Sequence, residues 1–352
     1  MLIRDATVND YEQINNLNLR HNLNLPDKKE WRKIWLNNPE FIFKNDPIGW
    51  VIEDQKKIRG FLGFIKKKYS DHKGAELNSL IISDWVVDKD YRSLSLSLLS
   101  NFFNKKNYDL FINSTANLKA SKVWEAFGAK KIPLNNIQSS LFIPINCRKV
   151  SNKIFRNIFL NFILYNFLKY FLKFRILSIK ENSKYEIEYV KCYDNEIKNF
   201  DKSQKKKEYV QENLDYNWYI GILEKKNKIN FLKIFKENSL IAYCVLLSSK
   251  NKNFNKTYLA QIKIKDKYLN DNSIYEFIIK KIFIYSKYIN TDLIEIKYID
   301  ENIFNFLKKI IMINKSKKYC SFYFYSKDKD LILKLSKEKW LINMFSGDSF
   351  LI

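Results

Sequence analysis

Cysteine is scarce and scattered. The 352 residues hold four, Cys147, Cys192, Cys244 and Cys320. No two stand in a CxxC or other metal-ligand spacing, which argues against a disulfide framework or a zinc ribbon and fits reduced, buried thiols. Long apolar runs are missing as well. The longest uncharged stretch in the most apolar segment, Asn157 to Leu168, falls short of the roughly 20 residues that cross a bilayer. Three asparagines within it make insertion worse still. The opening MLIRDATVNDYEQ carries acidic residues early and lacks the apolar region of a signal peptide, so a cytoplasmic chain is expected.

What is present is apolar and basic. Hydrophobic residues make up 46% of the chain, enough buried surface to offset the entropy of ordering and to exclude a mostly disordered protein. The length suits two domains. A net charge of +24 suggests nucleic acid at first, but only 8 of the 62 basic residues are arginine, and the lysines are spread along the whole chain. Asn, Ile, Tyr and Phe are inflated too, as a compositional bias of the genome would produce. Phosphate sites favour the bidentate guanidinium. A lysine-decorated surface is therefore expected, and nucleic acid is not expected as a partner.

Periodicity gives the order of elements. A short strand at residues 2–4 precedes a helix that Asp10 or Asn9 can cap, carrying Ile14, Leu17 and Leu19. Gly49 to Glu53 and Ile58 to Ile65 form a hairpin about Asp54-Gln55-Lys56-Lys57. Leu77 to Val87 is a long strand, Ser93 to Phe103 a helix, Tyr108 to Ile112 a strand, and Lys119 to Phe127 a helix stopped by Gly128. A β-rich end follows near Leu141 to Ile145. The second half repeats hairpin, strand, helix, strand, helix, strand from Phe231 to Tyr325, which suggests a structural duplication. Between the halves, 151–175 is apolar, flanked and interrupted by cations. It reads as a linker helix buried between domains, or else as a helix lying in the membrane interface with its cations at the headgroups. The second reading would make the chain peripheral to the inner face of the membrane. The loop from Leu23 to Pro47 holds Trp31 and Trp35, which form an apolar wall or merely anchor the loop.

One segment carries chemistry. Trp85-Val86-Val87 ends a buried strand, a polar turn follows, and Arg92-Ser93-Leu94-Ser95-Leu96-Ser97 begins a helix with small residues in its first turn. Unpaired amides, the positive end of the helix dipole and Arg92 together make such a turn an anion site. This segment resembles the cofactor signature of the GNAT superfamily of acyl-CoA-dependent N-acyltransferases, in which an Arg or Gln precedes two closely spaced small residues, usually glycines. Ser95 and Ser97 stand in their place. Asn117-Leu118-Lys119-Ala120-Ser121 through Trp124 to Gly128 is similar to that family's pantetheine-flanking helix. The opening strand and helix and the central hairpin are similar to its first elements, so the resemblance covers residues 1–145.

The resemblance implies an α/β (α+β) architecture of two GNAT-like domains, each a mixed, mostly antiparallel sheet flanked by helices. It divides the chain into 1–150 with the acyl-CoA site, a linker helix 151–178, and a degenerate second domain 179–352. It implies acetyl-CoA or another acyl-CoA as co-substrate, with no metal, held by Trp85, Val86, Val87, Arg92, Ser93, Leu94, Ser95, Leu96, Ser97, Asn117, Ser121 and Trp124. Trp124 stands where many members place a tyrosine that protonates the leaving thiolate, and an indole cannot do so. The base that takes the amine's proton is expected at Asp84, or next at Glu53. His72, a loop histidine, reads as a surface residue or else a base, and His21 as a substrate-loop or surface residue. The implied activity is N-acyl transfer to an amine, such as the sugar amine of a surface-polysaccharide precursor. Alternatives are an aminoacyl-tRNA-dependent peptidyltransferase of cell-wall precursors and a non-catalytic binding protein of the same fold. The turn Lys265 to Ser273 has no glycine, and bulky Lys267, Tyr268 and Leu269 would block a pyrophosphate there. One CoA per chain is expected, between Val87 and Trp124. Gly347-Asp348 reads as a hairpin tip.

Overall fold

Strand β1 (Leu2–Ala6) runs into a helical turn that Thr7 and Asp10 close reciprocally. The Thr7 hydroxyl accepts from the Asn9 amide, and the Asp10 carboxylate accepts from the Thr7 amide at 2.8 Å, a capping box. Helix α1 (Tyr11–Arg20) then buries Tyr11, Ile14 and Leu17. The segment read as a loop holds helix α2 (Lys28–Leu36), capped by the Asp27 carboxylate on the Glu30 amide at 3.0 Å. Trp31 and Trp35, one turn apart, are buried edge to face at 4.4 Å, and the Trp35 indole donates to the Phe64 carbonyl at 2.8 Å. Both tryptophans anchor the segment.

β2 (Gly49–Asp54) and β3 (Lys57–Ser70) form the hairpin. Its turn has two residues rather than four, because Gln55 and Lys56 adopt φ of 49° and 60°, the left-handed pair whose twist matches the flanking strands. β4 (Glu76–Val87), helix α3 (Ser95–Asn104), β5 (Leu110–Ala116), helix α4 (Leu118–Ala126) and the short β6 (Lys130–Lys131) follow.

The computed structural model describes residues 1–42, 46–132, 139–179, 184–203, 209–223, 227–250, 254–296, 301–310, 314–316 and 321–346. Cys320 and Gly347-Asp348 lie outside them. Backbone contacts divide the chain into one unit of Met1–Leu134, Lys206–Ile222 and Tyr319–Ile352, and another of Asn135–Lys205 and Leu223–Lys318. A division at residues 150 and 178 therefore cuts through the second unit.

The first unit holds a nine-stranded sheet in the order β1-β2-β3-β4-β5, then Ser321–Tyr325, then β6. Tyr209–Glu212 pairs with the end of β3 and with Lys339–Leu341. Along the main path only the β4–β5 pairing is parallel, as the crossover through α3 requires. The seven-stranded sheet of the second unit repeats this plan. Asn227–Lys236 and Ser239–Lys250 form a hairpin, turning on Glu237 and Asn238 at φ of 50° and 59°. Asn255–Ile264, the helix Asn272–Tyr288 and Leu293–Ile296 make its one parallel crossover. The strands Ser139–Pro144 and Ser321–Tyr325 are exchanged. The first, from the early half of the sequence, pairs with Leu293–Ile296, and the second, from the late half, pairs with β5. Both units are thus mixed, mostly antiparallel sheets with helices, the α/β architecture expected.

The apolar segment 151–175 is not buried as the linker reading requires. In the second unit, helices α5 (Cys147–Ile154) and α6 (Ile158–Leu172) bury Leu168, Phe171 and Leu172 but leave most of the other apolar side chains of α6 exposed. A helix that is apolar all round does not disclose from sequence what covers it. The thiols also divide: Cys244 is buried, Cys147 partly so, and Cys192 exposed.

Candidate functional site

β4 and β5 pair only at Ser79–Leu110, Leu80–Phe111 and Ile81–Ile112. Beyond these, each strand stays with its outer neighbour. β4 remains on β3 as far as the Val87–Gly60 pair, and β5 remains on Ser321–Tyr325 as far as the Ala116–Ser321 pair. The sheet therefore opens between residues 82–87 and 113–116, leaving backbone donors and acceptors on the facing edges.

A bulge in β4 begins the opening. Leu62 pairs with Trp85 and Phe64 with Ile82, so Gly63 faces two residues, Ser83 and Asp84. The extra residue bends the strand and re-aims its side chains. Asp84 sits in this bulge, half-buried, and burial pushes its carboxyl up to about 6. It accepts no hydrogen bond from any described residue, so nothing offsets the desolvation. Val86 and Val87 are buried, and the half-buried Trp85 has an indole N–H without a partner among the described residues.

Asp88 fastens the end of β4. Arg20 donates to it at 2.8 Å, His21 lies at 3.1 Å and Arg59 at 3.7 Å. Burial disfavours its charge, but the hydrogen bonds from Arg20 and His21 prevail and hold the carboxyl below its usual range. No local pattern links His21 with this residue. A 3₁₀ turn, Lys89–Leu94, then leads into α3, and neither start has a side-chain cap. The Ser95 amide is taken up by the Arg92 carbonyl, so not every amide of Ser93 to Ser97 is free as the sequence suggests. Arg92, Ser93, Leu96 and Ser97 are exposed, Leu94 and Ser95 half-buried. Arg92 has no hydrogen-bond or ion-pair partner among the described residues.

On the other side of the opening, the Asn117 side-chain oxygen caps α4, accepting from the Lys119 and Ala120 amides at 3.0 Å. Ser121 is buried beside Tyr323. Trp124 is wholly buried, edge to face with Phe103 at 5.0 Å, and its indole N–H has no partner among the described residues. Glu53 is not brought to Asp84. It accepts from Arg4 at 2.7 Å and sits four residues along β2 from Gly49, the partner of Gly63, about 13 Å at the rise of a strand. His72 pairs with Glu338 at 2.6 Å.

The second unit differs at its equivalent crossover. The Asp271 carboxylate caps the helix Asn272–Tyr288, accepting from the Ser273 amide at 3.0 Å and from Tyr185 at 2.8 Å. A carboxylate there repels an anion where α3 presents none.

A buried ion pair in the first unit was missed by sequence reasoning. Lys67 of β3 meets Glu212 at 2.8 Å and donates to the Phe345 carbonyl at 3.1 Å. Tyr219 donates to Glu212 at 2.7 Å. Lys67 pairs with Ser79 at the closed end of β4, away from the opening. Its only sequence signal is a lysine at an inward position of an alternating strand.

No protein-family model and no curated protein matches the sequence. Solved structures do. A GCN5-related N-acetyltransferase from Anabaena variabilis is 10% identical with a TM-score of 0.59 over 93% of this chain and 73% of that one. Saccharomyces cerevisiae N-myristoyltransferase with bound myristoyl-CoA is 10% identical with a TM-score of 0.56 over 92% and 78%. A tandem GNAT protein from the clavulanic acid biosynthesis pathway is 8% identical with a TM-score of 0.54 over 92% and 98%. With two sheets built on one plan and these neighbours, the chain has the fold of the GNAT superfamily in its tandem form.

Proposed function

We propose that this protein is an N-acyltransferase that binds one acyl-CoA per chain in its first unit and passes the acyl group to an amine. The observation that carries this reading is the parting of β4 from β5 beside an uncapped helix start. A pantetheine arm is a narrow chain of amides, and the facing edges at 82–87 and 113–116 offer it backbone partners. Arg92, with Ser93, Ser95 and Ser97 around it, receives the pyrophosphate. Trp85, Val86, Val87, Leu94 and Leu96 on one side, and Asn117, Ser121 and Trp124 on the other, bound the arm. The donor supplies an activated thioester.

Asp84 is the base. A carboxyl pushed up to about 6 is ionised at neutral pH yet basic enough to take a proton from an attacking amine. Glu53, neutralised by Arg4, is the second candidate. Trp124 has no acidic hydroxyl, so solvent protonates the departing thiolate. The Asp271 cap favours one site over two. The yeast neighbour is an N-myristoyltransferase with bound myristoyl-CoA and the Anabaena one an N-acetyltransferase, which supports an acyl-CoA of unstated length. A sugar amine of a surface-polysaccharide precursor, met in the cytoplasm, is the proposed acceptor.

Calorimetry on the full chain with CoA, then thiol release from acetyl- and myristoyl-CoA across a panel of amines, tests the reading. Binding near one per chain and amine-dependent release support it. No binding of CoA, with thermal stabilisation by aminoacyl-tRNA instead, would move the protein to peptidyl transfer.

A further inference from the structure

The least explained surface of the molecule is the outer face of α6. A helix seated on a protein core normally turns polar residues to water, and this one does not. Ile158 is 88% exposed, Phe159 70%, Phe162 65% and, just past the helix, Phe174 66%. Ile163, Phe167 and Tyr170 are exposed beside them. Phe159, Phe162, Ile163, Tyr170 and Phe174 recur at the three- and four-residue spacing of one face, while Leu168, Phe171 and Leu172 on the opposite face bury themselves in the second unit. Contiguous apolar surface of this kind marks a site that something covers.

Charge identifies the cover. From Ala126 to Lys180 the sequence contains no Asp or Glu, although the chain has 38. Three of its eight arginines, Arg148, Arg156 and Arg175, fall in this stretch. Arg156, Lys169, Lys173 and Arg175 are exposed and have no ion-pair partner among the described residues. Lys169 and Lys173 lie among the aromatic residues, Lys173 with its ammonium 6.0 Å from the Phe174 ring. Unneutralised cations interleaved with exposed aromatic and aliphatic side chains complement a surface that is apolar within and anionic at its boundary. The helix is 15 residues long, about 22 Å, too short for the hydrocarbon core. No helix among the described residues is long and apolar enough to cross a membrane.

We infer that α6 docks this protein on an anionic lipid bilayer, lying in the interface with Phe159, Phe162, Ile163 and Tyr170 among the acyl chains and Arg156, Lys169, Lys173 and Arg175 at the headgroups. The inference stands on the second unit alone and does not depend on the acyl-transfer reading.

Co-sedimentation of the full chain with vesicles of about three parts phosphatidylcholine to one part phosphatidylserine tests it. The protein should pellet with these vesicles at low salt, much less with phosphatidylcholine alone, and less as salt is raised. Phe159→Asp with Phe162→Asp should weaken partitioning at least tenfold. Both residues are exposed, so the melting temperature should hold. Lys169→Glu with Lys173→Glu should weaken it too. As a check on depth, Phe162→Trp should give indole emission that shifts to the blue on adding vesicles and is quenched by brominated lipid. A chain that stays in the supernatant, or pellets equally well with both aspartates, overturns the inference. So does a concentration-dependent dimer that the aspartates dissociate, which would make the cover a second copy. RNA binding lost with the two glutamates but indifferent to the aspartates, without vesicle binding, also overturns it.

Discussion

A β-carbon on Gly63 would lie 2.5 Å from the hydroxyl oxygen of Ser83 across the β3–β4 pairing. It would also lie 2.7 Å from the buried ring of Phe61. The bulge that carries Asp84 therefore depends on a residue without a side chain on the facing strand. Gly63→Ala should destabilise the chain by about 1–3 kcal/mol, the usual cost of overpacking. Because part of the strain falls on Ser83, the neighbour of Asp84 in the bulge, CoA affinity or turnover should fall more than stability does. Thermal melts beside calorimetry check this, and a variant with unchanged melting temperature and CoA binding would show that the bulge does not set the opening.

Asp84 gives a pH signature. Its folded carboxyl titrates near 6, above the value of about 3.9 in an unfolded chain. The folded state therefore holds the proton more tightly, and its stability falls as pH rises between roughly 4 and 6. Above that range the ionised group is a standing cost. Asp84→Asn should melt higher than the parent at pH 8 and close to it at pH 4. Activity in the parent should rise as pH passes about 6, and the asparagine variant should lose both the rise and most of the rate. A variant less stable at pH 8 would mean that the carboxylate has a partner in solution.

Lys67 and Glu212 make the opposite case, a buried charge pair in which each charge meets the other and further hydrogen bonds, from Tyr219 to Glu212 and from Lys67 to the Phe345 carbonyl. Lys67→Met strands the Glu212 carboxylate and should cost about 3–5 kcal/mol. Lys67→Met with Glu212→Leu should recover much of that loss, since the Tyr219 hydroxyl can turn its proton from Glu212 to the Phe345 carbonyl, 2.9 Å away. Denaturant titration of the two single variants and the double gives the coupling. Additive losses would show that the pair does not act as a unit.

Those residues also mark how far the sequence could be read. Elements set by local pattern were legible: the strand ending at Val87, the helix stopped by Gly128, and both hairpins apart from turn length. The two-residue turns were obscured because Gln55-Lys56 and Glu237-Asn238 take left-handed φ without a glycine to announce it. Helix α2 has a local signal of its own, Asp27 three residues before Glu30 and then Trp31, Ile34 and Trp35 on one face. What no local pattern contains is partner choice. Leu141 to Ile145 and Cys320 to Tyr325 both read as strands, but the sheet each joins is fixed by which parallel strand offers it a free edge. The Lys67–Glu212 contact spans 145 residues and was invisible for the same reason. At the candidate site the sequence marked Arg92 and Asp84 individually, whereas the bulge opposite Gly63 and the anchoring of Asp88 by Arg20 and His21 appear only once the strands are paired.

Arg92 is the sharpest test of the phosphate end. It is exposed and has no partner among the described residues, so Arg92→Ala removes nothing that the fold uses, and the melting temperature without ligand should stay within error. If the guanidinium meets a pyrophosphate, the same change should weaken CoA by about 1–3 kcal/mol, a charge-assisted contact. Arg92→Lys should recover only part of this, because an ammonium lacks the bidentate fork. Dephospho-CoA keeps the pyrophosphate and loses the ribose phosphate. Parent and Arg92→Ala should therefore differ by the same factor with either ligand if Arg92 serves the pyrophosphate. A difference that shrinks with dephospho-CoA would move Arg92 to the ribose phosphate. Equal CoA affinity in parent and variant would leave the uncapped start of α3 as an ordinary helix end.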